Sequence, residues 1–300
     1  MTDKTQLTLC PLPTLHFIEV TGDDSEKFLN AQFSQIITSK GLHKAKLAAW
    51  HDAKGRVMAL THIFPKDNNW ILLLHGDNPQ NIIQQLKLFI LREDVQINDV
   101  TYKWFGAIVL GNIDQWVKGC IENLNQAYGN IVKKESIFLF KLSNQVTYLL
   151  AKNDKQSIIK SEFVNIDERG GEIAEIRAGL VYLTSDLNKR FTPQMLNLDQ
   201  LGALSFRKGC YPGQEIITRI KHLGNPKRRL FRFSAPLTKK PVIGSQLLNS
   251  SGTPVGEVVR SVKIDQAKTE FLAVIKIESA NKPLHLDNEA EITITKEKLP

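Results

Sequence analysis

The 300-residue chain is poor in cysteine, with three: Cys10, Cys120 and Cys210. They are too few and too widely spaced for a disulfide framework, and none forms a CxxC metal clip. A reducing, cytoplasmic setting is therefore the expectation. The seven histidines show no HxxxH or CxxH spacing, which argues against a preformed mononuclear zinc site. No apolar run approaches the ~20 residues that span a bilayer, so no membrane association is expected. The strongest stretch, Trp70 to Leu74, is strand-sized. Met1 to Cys10 lacks a basic segment followed by an apolar one and is not Arg-rich, so neither a signal nor a transit peptide is expected.

What is present is enough to build a core: 42% of the residues are hydrophobic, 23% charged and 8% aromatic. At ~150 residues per domain the length suggests about two domains. The net charge of +8 is unevenly placed. Between Leu201 and Lys240 stand ten basic residues (Arg207, Lys208, Arg219, Lys221, Lys227, Arg228, Arg229, Arg232, Lys239 and Lys240) against one acid, Glu215. The rest of the chain is close to neutral. Such a window attracts anions, whether carboxylate tails, phosphates or tRNA, unless it is only a solvated loop.

Along the chain, His16 to Val20 reads as a strand. Asp23, Asp24 and Ser25 suit a helix N-cap, with Phe28, Leu29 and Ile36 following at near-helical spacing. Leu47–His51 and Val57–Phe64 flank the turn residues 52–55 and read as a hairpin, with Trp70–His75 a further strand. Asn78-Pro79 opens a helix carrying Ile82, Ile83, Leu86, Phe89 and Ile90. The grammar then repeats in outline. Phe105–Leu110 is a strand, Ile113–Leu124 a helix, Ile137–Leu142 and Val146–Ala151 a hairpin, and Lys155–Phe163 a helix. Beyond a break near Gly224-Asn225-Pro226, short β-rich runs separated by turns (Leu230–Phe233, Gln246–Leu248, Val255–Val262, Glu270–Ile277, Glu289–Thr295) suggest a small β-barrel or sandwich. The expected division is an α+β region over 1–225, with an internal break near 100, and a β-module over 226–300.

Chemistry is concentrated in Phe206-Arg207-Lys208-Gly209-Cys210-Tyr211-Pro212-Gly213-Gln214-Glu215. Ile216, Ile217 and Ile220 continue at helical spacing, so a tight loop should feed a helix starting near Pro212 or Gly213. Cys210 would precede the helix N-terminus beside Arg207 and Lys208, features that favour thiolate over thiol. Gly209 and Gly213 would let backbone approach a ligand, while Gln214 and Glu215 occupy the first turn. The alternative is a small buried hydrophobe, the reading given to Cys10 and Cys120.

The octapeptide Lys208 to Glu215 resembles the signature of the YgfZ family, which is related to the glycine-cleavage T-protein (GcvT, an aminomethyltransferase). Phe191-Thr192-Pro193-Gln194 with Asn197-Leu198 and Leu201-Gly202, the hairpin Leu47–Arg56, the helix within Gly22–Gln32 and Lys227–Leu230 are similar to further family segments. The resemblance implies a GcvT-like α+β fold: a three-module ring of two intertwined α+β modules and a C-terminal β-barrel. It implies a site for tetrahydrofolate or a derivative and no stable metal. The implied role is assembly or repair of iron–sulfur clusters in client enzymes, including one that thiomethylates tRNA, with Cys210 the key residue and a transient cluster ligand at most.

Classical enzyme activity is not the expectation. The T-protein places an acidic residue after its hairpin glycine, and Gly55–Thr61 carries no carboxylate. A true aminomethyltransferase, or an RNA-binding module using the basic window, are the alternatives. The aromatic positions that some family members use fall near Leu15 and Gly171, leaving Phe17, Tyr182 or Trp50 to stack on a pterin. Arg177 would bind a folate carboxylate, unless it is a surface residue on a strand edge, with Tyr182 nearby beyond Gly179. Gln194 would meet a pterin edge, unless it braces a loop. His51 and Asp52 read as a surface His and a turn-capping Asp rather than a base, and His222 as a helix-end residue.

Overall fold

The computed structural model describes residues 7–39, 44–77, 79–113, 131–134, 136–143, 146–224, 226–287 and 294–299. Two compact units emerge: Met1–Ala48 with Thr61–Gly171, and Ala49–Leu60 with Glu172–Pro300. The chain thus leaves the first unit at the tip of one hairpin, returns, and leaves again.

The first unit holds two sheets. Its elements begin with β1 (Thr8–Pro11), β2 (Leu15–Thr21), α1 (Ser25–Gln32) and the hairpin strands β3 (Lys46–His51) and β4 (Val57–Lys66). Then come β5 (Asn69–His75), α2 (Pro79–Lys87), β6 (Gln96–Asp99) and β7 (Trp104–Leu110). β8 (Ile131–Lys134), β9 (Ile137–Ser143), β10 (Val146–Lys152), α3 (Gln156–Ser161) and β11 (Asn165–Ile166) complete the run. One sheet runs β3-β4-β5-β2-β6 and the other β11-β1-β7-β10-β9-β8, with only the β1–β11 pair parallel. Leu9, Ala107, Val109, Leu139, Leu149 and Ala151 form the core of the second sheet with Ile159 and Phe163.

The expected strands and hairpins are present, and the helices are shorter than their apolar spacing suggests. α1 stops at Gln32, leaving Ile36 outside it, and Asp24 at the cap position makes no side-chain cap bond. Its carboxylate accepts the Asp94 N–H instead. α2 buries Ile82, Ile83 and Leu86 and ends at Lys87, so Phe89 and Ile90 fall beyond it. The expected Asn78 cap and the helix after Ile113 lie outside the described residues.

The second unit contains α4 (Gly170–Arg177), α5 (Gln214–Leu223), β12 (Arg228–Ala235), β13 (Gln246–Asn249), β14 (Pro254–Lys263), β15 (Thr269–Lys276), β16 (Leu284–Leu286) and β17 (Thr295–Glu297). The strands form one antiparallel sheet, ordered β16-β13-β14-β15-β12-β17. Phe233, Leu247, Val258, Phe271, Ala273 and Ile275 supply its core. The expected run Glu289–Thr295 falls mostly outside the described residues, with β17 beginning at Thr295.

Candidate functional site

The motif loop feeds α5 as its sequence suggests. Gly213 caps the helix in the left-handed region (φ +75°), the Gln214 N–H donates to the Tyr211 carbonyl at 3.2 Å, and the Ile217 N–H to the Gly213 carbonyl at 3.1 Å. Gly is the residue that takes this conformation without steric cost. Cys210 is exposed on the loop just before the helix, with Arg207 and Gly209 also exposed and Lys208 half-buried. Its neighbour Tyr211 turns the other way and is only 5% exposed. Burial pushes the Tyr211 phenol up to about 12, and the Lys208 Nζ lies 5.3 Å from the centre of its ring. Gln214 is half-buried and Glu215 exposed in the first helical turn.

The turn between β3 and β4 packs against this helix start. Asp52 Oδ1 accepts the N–H groups of Lys54 and Arg56 at 2.9 and 2.8 Å, so the expected turn-capping role holds. A Cβ on Gly213 would stand 2.5 Å from the Gly55 Cα and 2.6 Å from the Asp52 carbonyl oxygen. The close approach Gly213 permits is therefore to this turn. At Gly209, by contrast, an added Cβ meets nothing within 4 Å.

His51 corrects the expectation of a surface side chain. It is 1% exposed, its ring centre lies 6.0 Å from that of Tyr211, and burial lowers its pKa to about 3. Neither ring nitrogen has a hydrogen-bond partner among the described residues, and the same is true of the Tyr211 hydroxyl. The alternating burial of a half-exposed strand would have put His51 outside, but every residue of β3 after Lys46 is buried.

Gln194 sits in a 3-10 turn (Pro193–Leu196) that ends at Asn197 in the left-handed region. It is 2% exposed. Its Nε2 donates to the Ile217 carbonyl of α5 at 2.9 Å, while Oε1 is buried with no hydrogen-bond partner among the described residues. Arg229 braces the same turn, donating to the Gln194 carbonyl and forking onto Asp199 at 2.9 and 2.8 Å.

Arg177 lies in the last turn of α4 and not on a strand edge, and its guanidinium forks onto Glu270 at 3.1 and 2.7 Å. Burial alone would push the Glu270 carboxyl up. Arg177 and Arg232 outweigh it and hold the group below the usual carboxylate range. Tyr182 is covered by the Arg260 guanidinium, 3.5 Å from its ring centre, and Arg260 also reaches Glu175 at 3.0 Å and the Leu180 carbonyl at 2.9 Å. Neither Arg260 nor the fully buried Glu175 carries a sequence motif. A charged pair on an otherwise apolar strand and helix was the available signal. Of the other rings nominated for stacking, Trp50 is fully buried and Phe17 stacks on Trp104 at 5.3 Å.

The basic window resolves into two kinds of cation. Arg229 and Arg232 are neutralised internally by Asp199 and Glu270. Arg207, Arg219, Lys227 and Arg228 form no ion pair among the described residues, and the Lys221 Nζ sits 3.7 Å above the Phe206 ring centre. Among the described residues no group of three or more His, Cys, Asp or Glu could hold a metal ion, and no helix is long and apolar enough to cross a membrane.

The architecture is that of the aminomethyltransferase T-proteins: the glycine cleavage system aminomethyltransferase T of Bartonella henselae superposes with a TM-score of 0.74 at 11% identity, covering 99% of this chain and 87% of that one. The α+β, GcvT-like fold is thereby borne out. No family model matches the chain. It is nevertheless similar from end to end to the tRNA-modifying protein YgfZ of Colwellia psychrerythraea, at 24% identity over 100% of this chain and 97% of that protein. The YgfZ of Photorhabdus laumondii is 25% identical over 86% of this chain and 81% of its own. The YgfZ resemblance carried by the octapeptide thus extends over the whole chain.

Proposed function

We propose that this protein acts in tRNA modification as a folate-linked accessory factor for the assembly or repair of iron–sulfur clusters, working through Cys210. The observation that carries the reading is the outward-facing Cys210 on a loop whose two ends are fixed. Tyr211 is anchored inside, and the helix cap at Gly213 is locked against the hairpin turn. An exposed thiol beside Arg207 and Lys208 suits exchange with a cluster or with a partner's thiol. One cysteine supplies only one of the four thiolates a cluster usually takes. A cluster bound at Cys210 is therefore shared with the client and is cargo rather than a resident cofactor.

The residues fit the polar half of a folate. Gln194 Oε1, the Tyr211 hydroxyl and the two His51 nitrogens are buried polar atoms with unused hydrogen-bonding capacity in one unit, an arrangement that folded proteins rarely leave unmet. They would meet the hydrogen-bonding edge of a pterin, and Arg207 and Lys208 the glutamate tail. Phe17, Trp50 and Tyr182 are already packed within the protein, so aromatic stacking is not part of this reading. A reduced folate would supply one-carbon chemistry there. Aminomethyl transfer itself is disfavoured, because Gly55–Thr61 offers no carboxylate to organise it.

An RNA-contacting role is compatible with the same unit, since Arg207, Arg219, Lys227 and Arg228 keep their charge available. The discriminating experiment titrates the full chain with tetrahydrofolate and, separately, with tRNA. Folate binding weakened by Gln194→Ala, with tRNA binding unchanged, supports the proposal. Steeply salt-dependent tRNA binding with no folate binding replaces it with the RNA reading.

A further inference from the structure

The apolar pattern of α2 does not end with the helix. Beyond Lys87 come Leu88, Phe89, Ile90 and Leu91, and the first unit gives most of them no cover: Leu88 is 77%, Phe89 46% and Leu91 84% exposed. Isolated exposed leucines are ordinary, but four consecutive apolar residues on one turn make a patch of the kind that marks an interaction site.

The turn is held in shape by its own backbone. The Leu88, Phe89 and Ile90 N–H groups donate to the carbonyls of Gln85, Leu86 and Lys87 at 3.3, 3.0 and 3.1 Å. The Leu91 and Arg92 N–H groups both donate to Glu93 Oε2, at 2.9 and 3.0 Å. A knob fixed in this way loses little entropy on docking. Its rim is cationic, with exposed Lys87 on one side and exposed Arg92 on the other. The two neighbouring acids face backbone: Glu93 takes those two amides, and Asp94 Oδ2 accepts the Asp23 N–H at 3.2 Å.

We propose that the Leu88–Leu91 turn docks into an apolar groove, rimmed by acidic side chains, on a partner protein. The charge of the rim selects the occupant. Two cations and one short turn are too little for stable anchoring to a lipid surface, which needs a larger apolar face or a polybasic cluster. A symmetric contact between two copies would set Lys87 and Arg92 against their own kind.

The test uses the full-length protein with a photoreactive benzoylphenylalanine at position 88 or 91, and at exposed Tyr102 as control. Both knob positions should crosslink to the same protein in cells and the control should not. The partner so identified is then purified and titrated. Leu88→Asp with Leu91→Asp should weaken binding by at least about tenfold, the loss expected when a central apolar anchor is removed. Lys87→Glu with Arg92→Glu should weaken it and flatten its dependence on salt. Both double variants change exposed side chains, and an unchanged thermal melt establishes that they fold. Crosslinks only to lipid, only to another copy of this chain, or equally from position 102 overturn the proposal, as does unaltered binding by the aspartate variant. Cys210→Ala should bind the partner normally, so failure of the knob and failure of the cysteine reading are separately visible.

Discussion

Gly213 and Gly55 meet backbone to backbone: a Cβ on the first would fall 2.5 Å from the Cα of the second. Both have positive φ, +75° and +71°, and both stand at turning points, one capping α5 and the other closing the β3–β4 turn. The second glycine of the motif is thus what seats the hairpin tip on the start of α5. Cys210 rides on the loop between that seat and the buried Tyr211.

Gly213→Ala should therefore be severely destabilising, by roughly 2–4 kcal/mol, because it combines a left-handed backbone with a clash against main-chain atoms. Gly209→Ala meets open space and should leave stability within about 0.5 kcal/mol of the parent. Urea melts of the two variants check this contrast. A loss of function in the stable Gly209→Ala protein would locate a ligand or partner at that position.

The cysteines should differ sharply in chemical access. Cys10 is fully buried, and burial, assisted by the nearby Asp167 charge, pushes its thiol up to about 12. Cys210 is exposed. Brief iodoacetamide treatment at neutral pH, read by peptide mass spectrometry, should label Cys210 and spare Cys10 until the protein is unfolded.

Acid should weaken the fold through two histidines. Burial lowers both His51 and His62 to about 3, the latter with help from His75. Each is neutral when folded and takes up a proton when unfolded below the ordinary histidine pKa of about 6.5. Their folded-state advantage is present above that value and is lost as pH falls toward 3, at up to about 1.4 kcal/mol per pH unit for each histidine. Stability measured from pH 7 to pH 4 should show that slope, and His62→Leu should reduce it by up to one proton.

The Arg260–Glu175 pair, 6% and 0% exposed, should be costly to break and cheaper to remove. Arg260→Ala strands a buried carboxylate and uncovers Tyr182, an expected loss of about 3–5 kcal/mol. Adding Glu175→Ala should recover part of it, and a double-mutant cycle of thermal melts measures how much.

Much of this organisation was legible in the residues. The hairpins over Leu47–Phe64 and Ile137–Ala151 announced themselves because β-rich runs flank explicit turn residues, and the helix after Cys210 because its isoleucines follow a glycine cap. The pieces that escaped notice lack such contrast. β6 buries only Ile97 among polar neighbours, β11 has two residues, and α4 opens on two glycines and hides a charged Glu175 where an apolar residue marks a core face. At the site, the motif declared Cys210 and the helix start. The pairing of Gly213 with Gly55, the burial of His51 and the commitment of Arg177 to Glu270 depend on segments far apart in the chain, so no local pattern records them.

The most direct measurement is the level of thiomethylated tRNA in cells whose only copy of this protein carries Cys210→Ala, compared with cells carrying Cys10→Ala. The account predicts a marked deficit with the first, at unchanged protein abundance, and near-normal modification with the second. Full modification in the Cys210→Ala cells would contradict it.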